Sequence, residues 1–350
     1  MKKNIFYIFV LSLIVLILFQ GKEIIHYTQQ TLIMCYKIII PSLFPFFVCS
    51  GMLIYSGFAG VIAKYTQGIM RPVFNIAPPG AAAFVLGIIS GFPLGAVCTK
   101  DLYKSGNLSK IEAERLLAFC NNSGPLFIIG SIGTAIYLKP LYGVILYIIH
   151  IVSSVMVGII FKGYGKNKHN SPPTRVNTNE MNIPQAIAMS IDSAGKNILT
   201  VCFSILFFSA VAQTMLGLLP LSPVLDAIVS GLCEFSTGTL KISMLTEDIA
   251  IKLILTSLVV GFSGLSVHLQ VMSVTADSGL SLKPYILGKM LHGSISAAIT
   301  AIVVYMARVK PTFSHAYAPM SVSSFVSVIC LFIALGIITV FVTMHKNNRC

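Results

Sequence analysis

Long apolar runs joined by short polar stretches dominate the chain. They cover Ile5–Phe19, Leu32–Tyr55, Ala81–Val97, Leu116–Ile136, Leu141–Phe161, Ile198–Leu219, Val224–Ile242, Ile249–Val274, Tyr285–Met306 and Val322–Met344. A helix needs about 20 such residues to cross roughly 30 Å of hydrocarbon. The pattern predicts an all-α polytopic membrane protein with about 8–10 membrane segments. Several runs are interrupted by glycine or proline where a simple span would be continuous.

The interruptions carry the most information. ISGFPLGA breaks at Gly91 and Pro93, NNSGP at Gly124 and Pro125, STG at Gly238, and GFSGLS at Gly261 and Gly264. Unpaired backbone amides in lipid cost several kcal/mol each, so irregular backbone persists there only where protein or a wet cavity satisfies it. Each break is bordered by small polar side chains: Ser90; Asn121, Asn122 and Ser123; Ser236 and Thr237; Ser263 and Ser266. A helix restarting after a break points its positive end and free N–H groups at the gap. Four such ends would bind carboxylates or polar heterocycles without a buried lysine. Small residues for close helix packing are the plainer reading of any one break.

Glu234, inside VLDAIVSGLCEFSTGTL, is the sharpest single residue. A carboxylate there costs roughly 2.5–3.5 kcal/mol on insertion scales and faces a partner or a cavity. It is either a coupling acid for a proton or cation, or a hydrogen-bond partner within the protein. His268, with Gln270 beside it, is placed to face the same gap. The expected substrate-binding set is Ser90, Gly91, Asn121, Asn122, Ser123, Gly124, Ser236, Thr237, Ser263 and His268, with Glu234 as intramembrane acid.

The chain has 350 residues, 55% hydrophobic and 10% charged, with a mean hydropathy of +0.86. Soluble domains carry about 25% charged residues. The net charge of +13 would suggest nucleic acid in a soluble chain. Here the cations sit in loops: Lys100, Lys104, Lys110 and Arg115, then Lys162, Lys166, Lys168, Arg175 and Lys196. Cytoplasmic loops of membrane proteins collect lysine and arginine in this way. The partners expected are therefore the bilayer and a small solute, with no nucleic acid. A homo-oligomer or other membrane proteins remain open as partners.

The eight cysteines and seven histidines form no ligand motif, so no metal, cofactor or disulfide framework is expected. There is no G-x-x-x-x-G-K-[ST], H-E-x-x-H, G-x-S-x-G or G-x-G-x-x-G, so no enzyme is expected. MKKNIFYIFVLSLIVLILFQG lacks an A-x-A site and reads as an uncleaved first span.

The polar stretch 163–197 divides the chain. The expected units are an N-terminal span (1–30), a first repeat (31–162), the cytoplasmic linker (163–197), a second repeat (198–307), and a C-terminal span and tail (308–350). Matching broken segments in two halves point to a transporter's binding site. Topology parity offers two choices. Either IIIPSLFPFFVCSG, with Pro41 and Pro45, forms a re-entrant hairpin and the two repeats are inverted, or the N-terminus lies outside despite Lys2 and Lys3.

PSLFPFF, SGFPLGA, ERLLAFCNNSGPLFIIGSIG, CEFSTG and GLSVHLQV, in that order across about residues 30–305, resemble the sporulation integral membrane protein family called YlbJ. The resemblance implies the nucleoside-recognition Gate architecture of paired repeats with re-entrant hairpins and broken helices. It also implies a multi-pass protein of the outer forespore membrane in an endospore-forming bacterium, moving dipicolinic acid toward the forespore. Two alternatives stand beside that. One is a transporter of nucleosides or other neutral heterocycles, coupled to H+ or Na+ through Glu234. The other is a non-transporting scaffold for sporulation proteins.

Overall fold

The computed structural model describes residues 2–165 and 182–308. The expected C-terminal span, Val322–Met344, and residues 166–181 of the linker lie outside the described residues. Helices account for the fold, and no strand occurs among the described residues.

In chain order the helices are α1 (Lys2–Phe19), α2 (Gly21–Met34), α3 (Ile40–Tyr55), α4 (Phe58–Phe74), α5 (Gly80–Ser90), α6 (Leu94–Lys104), α7 (Lys110–Cys120), α8 (Pro140–Phe161), α9 (Ile183–Gly217), α10 (Pro223–Cys233), α11 (Phe235–Met244), α12 (Ile249–Phe262), α13 (Gly264–Thr275) and α14 (Lys283–Arg308). Two π-helical segments, Cys35–Ile39 and Leu126–Ile136, complete the set. Pro140–Phe161, Ile183–Gly217, Ile249–Thr275 and Lys283–Ala307 are each long and apolar enough to cross a membrane. The 35-residue α9 begins at Ile183, so residues 183–197, expected in the polar linker, form its first turns instead.

Side-chain contacts fix which ends share a face. Arg115 Nε donates to the Tyr164 carbonyl at 2.6 Å, Ala77 N donates to Glu112 at 2.9 Å, and Ser281 N donates to Glu114 at 2.9 Å. Lys104 pairs with Asp277. The base of the α5–α6 pair, the start of α7, the end of α8, the end of α13 and the start of α14 therefore lie together, on the linker face. The basic residues Lys104, Lys110 and Lys162 adjoin there. The start of α10 and the end of α11 are tied by Lys241 and Asp226 at 2.6 Å, and Tyr137 reaches Thr256 at 2.8 Å. Those ends form the opposite face.

The segment Leu32–Tyr55 does not turn back, which goes against the re-entrant alternative at Pro41 and Pro45. Thr31 meets Ser209 at 3.1 Å, and Gly51 packs on Ser190 near the other end of α9. α2 and α3 thus run the length of α9 in the opposite direction. The π-helical turn just before Pro41 widens the helix where that proline ring would crowd the preceding turn.

The re-entrant hairpins lie elsewhere. α5 and α6, 11 residues each, reach about 16 Å, half of a bilayer. They pack side by side on α7, and a Cβ on Gly87 or Gly95 would strike the Cys120 carbonyl. α10 and α11 form the second hairpin, so close that a Cβ on Gly238 would collide with the backbone of Gly231. The first hairpin enters from the linker face and the second from the opposite face.

After each hairpin comes a broken crossing: α7 followed by Leu126–Ile136, then α12 followed by α13. After each broken crossing comes a long helix, α8 or α14. Hairpin, broken crossing and long helix thus follow one another in the same order before and after α9. α1 meets α2 at 92°, and α4 begins and ends on the linker face.

Candidate functional site

Both hairpins end at mid-depth, and their tips meet. Gly91, with φ 82°, adopts a conformation open mainly to glycine. It brings the first tip against Gly124 in the break after α7; a Cβ on Gly91 would lie 2.9 Å from the Gly124 nitrogen. The second tip, Cys233–Phe235, abuts Gly264 in the break between α12 and α13, where a Cβ would lie 3.0 Å from Phe235 N. Ser263 takes φ 77° to make that break, an uncommon conformation for a non-glycine residue.

A cavity of about 40 Å³ lies where tips and breaks converge. Ser90, Gly91, Ser123, Gly124 and Ser236 line it, with Phe92, Phe127, Phe235, Ser131 and Gln270. Thr237 and Ser236 also face a vestibule of about 840 Å³ between α2, α9, α11 and Leu126–Ile136. Gln30, Thr31, Lys37, Ser209, Gln213 and Lys241 place polar groups in walls that are otherwise largely apolar. Its volume suits a drug-sized molecule. The tip cavity has room for little more than water.

Other expected residues sit around the cavity without lining it. Glu234 is the N-cap of α11. Its carboxylate accepts from Ser236 N at 3.1 Å, Ser236 Oγ at 2.6 Å, Thr237 N at 2.7 Å and Thr237 Oγ1 at 2.8 Å. The positive end of α11 is therefore occupied by the protein's own anion. No side chain caps α6, Leu126–Ile136 or α13.

Asn122 Nδ2 turns away to the Phe119 carbonyl at 2.9 Å and Ser154 at 3.2 Å. Ser263 Oγ donates to the Val260 carbonyl at 3.2 Å. His268 Nδ1 bonds the Gly264 carbonyl at 2.7 Å, while its Nε2 is buried without a partner. Among the described residues, no three histidine, cysteine or acidic side chains are grouped to hold a metal.

Asn121 is fully buried, and its carbonyl accepts from Lys289 Nζ at 2.9 Å. This corrects the expectation of a site without a buried lysine. Lys289 is itself 0% exposed, 3.2 Å from His292 Nδ1 and 5.4 Å from the Phe92 ring centre. His292 Nε2 bonds the His150 carbonyl at 2.9 Å, and Ser123 N donates to His150 Nε2 at 3.1 Å. Reading breaks from glycine and proline passes over these residues. The signal was present, since a lysine inside an apolar run calls for the argument applied to Glu234.

The chain is 26% identical to the sporulation integral membrane protein YlbJ of Bacillus subtilis over 330 residues, covering 83% of this chain and 79% of the relative. The likeness runs over most of both chains. No family model matches the chain, and no solved structure matches it. As a YlbJ relative it is a multi-pass integral membrane protein, with helices of the length and composition to cross a bilayer. The motifs SGFPLGA, CNNSGP and CEFSTG are the hairpin tips and the break that enclose the cavity.

Proposed function

We propose that the protein carries a small polar solute across a membrane during sporulation, with dipicolinic acid crossing the outer forespore membrane as cargo and place. The observation that carries this reading is the tip-to-tip meeting of two hairpins from opposite faces, beside uncapped helix starts and a large vestibule. Irregular backbone at membrane depth lining a cavity is the usual construction of a transporter site.

The chemistry supports an aromatic anion. Phe92, Phe127 and Phe235 offer ring faces to a flat heterocycle. The uncapped starts of Leu126–Ile136 and α13 favour carboxylates, and Lys37 and Lys241 line the approach. Glu234 does not stand free to repel an anion, because its carboxylate accepts four hydrogen bonds at the start of α11. The chain performs no covalent chemistry in this reading, so a gradient or downhill flow supplies the energy. A solute of this size enters the tip cavity only when the tips part.

Uptake into vesicles containing only this chain tests the proposal. Labelled dipicolinate should enter, with labelled nucleosides entering poorly. Preferential nucleoside uptake would move the cargo to neutral heterocycles, and no uptake of either would leave a scaffold.

A further inference from the structure

A line of buried polar side chains runs along α14 on one face: Tyr285, Lys289, His292, Ser296 and Thr300, all at most 1% exposed. Their spacing of three or four residues keeps them on one stripe. The stripe faces α7, α8 and α12, the helices that α14 packs against. It ends where Thr300 meets Ser257 at 2.6 Å. A stripe this polar at membrane depth needs a task.

Lys289 is its centre. Ion pairs among the described residues join Lys100 to Asp101, Lys104 to Asp277, Lys196 to Asp192 and Lys241 to Asp226, so none involves Lys289. The ionisable groups facing it are Cys120 from α7, His150 from α8, and Tyr285 and His292 from α14; His268 of α13 stands behind Tyr285. No carboxylate is among them. A charged ammonium there lacks a counter-ion, and burial of an uncompensated charge is costly. Its carbonyl partner belongs to Asn121, two residues before Ser123 in the cavity wall, and the Phe92 ring is shared between Lys289 and the cavity.

We propose that Lys289, hydrogen-bonded to His292 behind the break at Asn121, takes up one proton when an anionic solute enters the tip cavity and releases it when the solute leaves. The solute supplies the missing negative charge, so the amine is neutral with the cavity empty and an ammonium with it filled. The His292 Nδ1 lone pair accepts one ammonium N–H, the Asn121 carbonyl a second, and the Phe92 ring face lies toward the third. Transport is then proton–anion symport. This inference rests on the transport reading and names its coupling group.

The full chain in liposomes, clamped at zero voltage, tests it with dipicolinate as probe and a pH dye inside. Adding dipicolinate outside should acidify the lumen. An inward gradient of one pH unit should raise accumulation about tenfold, the ratio for one proton per solute. Lys289→Arg, whose charge is permanent, should exchange dipicolinate downhill but show neither acidification nor gradient-driven accumulation. If that variant fails to fold, the wild-type proton measurement alone decides. Dipicolinate entry that ignores the pH gradient and carries no proton overturns the coupling and leaves the transport reading standing. No dipicolinate entry under any gradient overturns both.

Discussion

Phe92 and Phe235, at the tips of hairpins from opposite faces, meet edge to face with ring centres 5.6 Å apart. Phe127 packs on Phe235 at 4.9 Å from the neighbouring break. Three rings thus plug the point where both half-depth hairpins end. Phe235→Ala should lower stability by about 3 kcal/mol through the cavity it leaves and open a route from vestibule to tip. In a cysteine-free background, Ser123→Cys should then react several-fold faster with a water-soluble thiol reagent than it does with Phe235 in place. Unchanged reactivity would mean that the rings do not close the passage.

The hairpin arms are held by glycine contacts. Gly238→Ala pushes a methyl group into the Gly231 backbone, which cannot swing aside, and should cost at least about 1–3 kcal/mol. Gly195→Ala on α9 meets open space and should instead gain up to about 1 kcal/mol from helix propensity. Thermal melting of the purified variants should move in opposite directions.

Glu234 separates a structural role from a coupling role. Glu234→Gln keeps one oxygen for the α11 donors but leaves at least one backbone N–H facing an amide NH2. The expected loss is about 1–3 kcal/mol. A coupling acid gives the reverse signature: retained melting temperature and lost pH dependence of uptake.

The parts legible in the sequence are those the membrane makes expensive. Gly91, Gly124, Glu234 and Gly264 stand out because backbone breaks and charges inside apolar runs need a reason, and all four lie at or beside the tips. Hairpin against span was harder, since two 11-residue arms have the combined length of one crossing. Pro41 and Pro45 misdirected the reading because a π-helical turn absorbs a proline that would otherwise break a helix. Lys289 was legible as a lysine inside an apolar run, but the common polar face of α14 emerges only when α7, α8 and α12 close around it.

Asp277 carries a pH prediction on the linker face. Lys104 donates to its carboxylate and holds the carboxyl below its usual range. A depressed carboxyl favours the folded contact above its unfolded pKa, and that contribution is lost as pH falls through the lower folded value. The side chain is open to solvent, so the effect is local and screened by salt. Amide exchange at residues 275–281 should quicken as pH drops below about 4, after correction for intrinsic rates. Asp277→Asn should abolish that extra quickening and leave the melting temperature unmoved.

Sidedness follows from the paired hairpins. The vestibule wall at Gln30 lies near the α9 end that leads into the second hairpin, whereas Ser105 lies in the turn between α6 and α7. Both side chains are exposed. With the native cysteines replaced and the protein expressed in the plasma membrane of a host cell, Gln30→Cys should label with an impermeant thiol reagent from outside the cell, and Ser105→Cys only after the cytoplasmic side is opened. That assignment puts the lysine-rich linker inside, as loop charge favours. Labelling of both positions from one side would contradict the opposite entry of the hairpins. Reversal of both would keep the architecture and invert its placement in the bilayer, so the pair of labels reads fold and orientation separately.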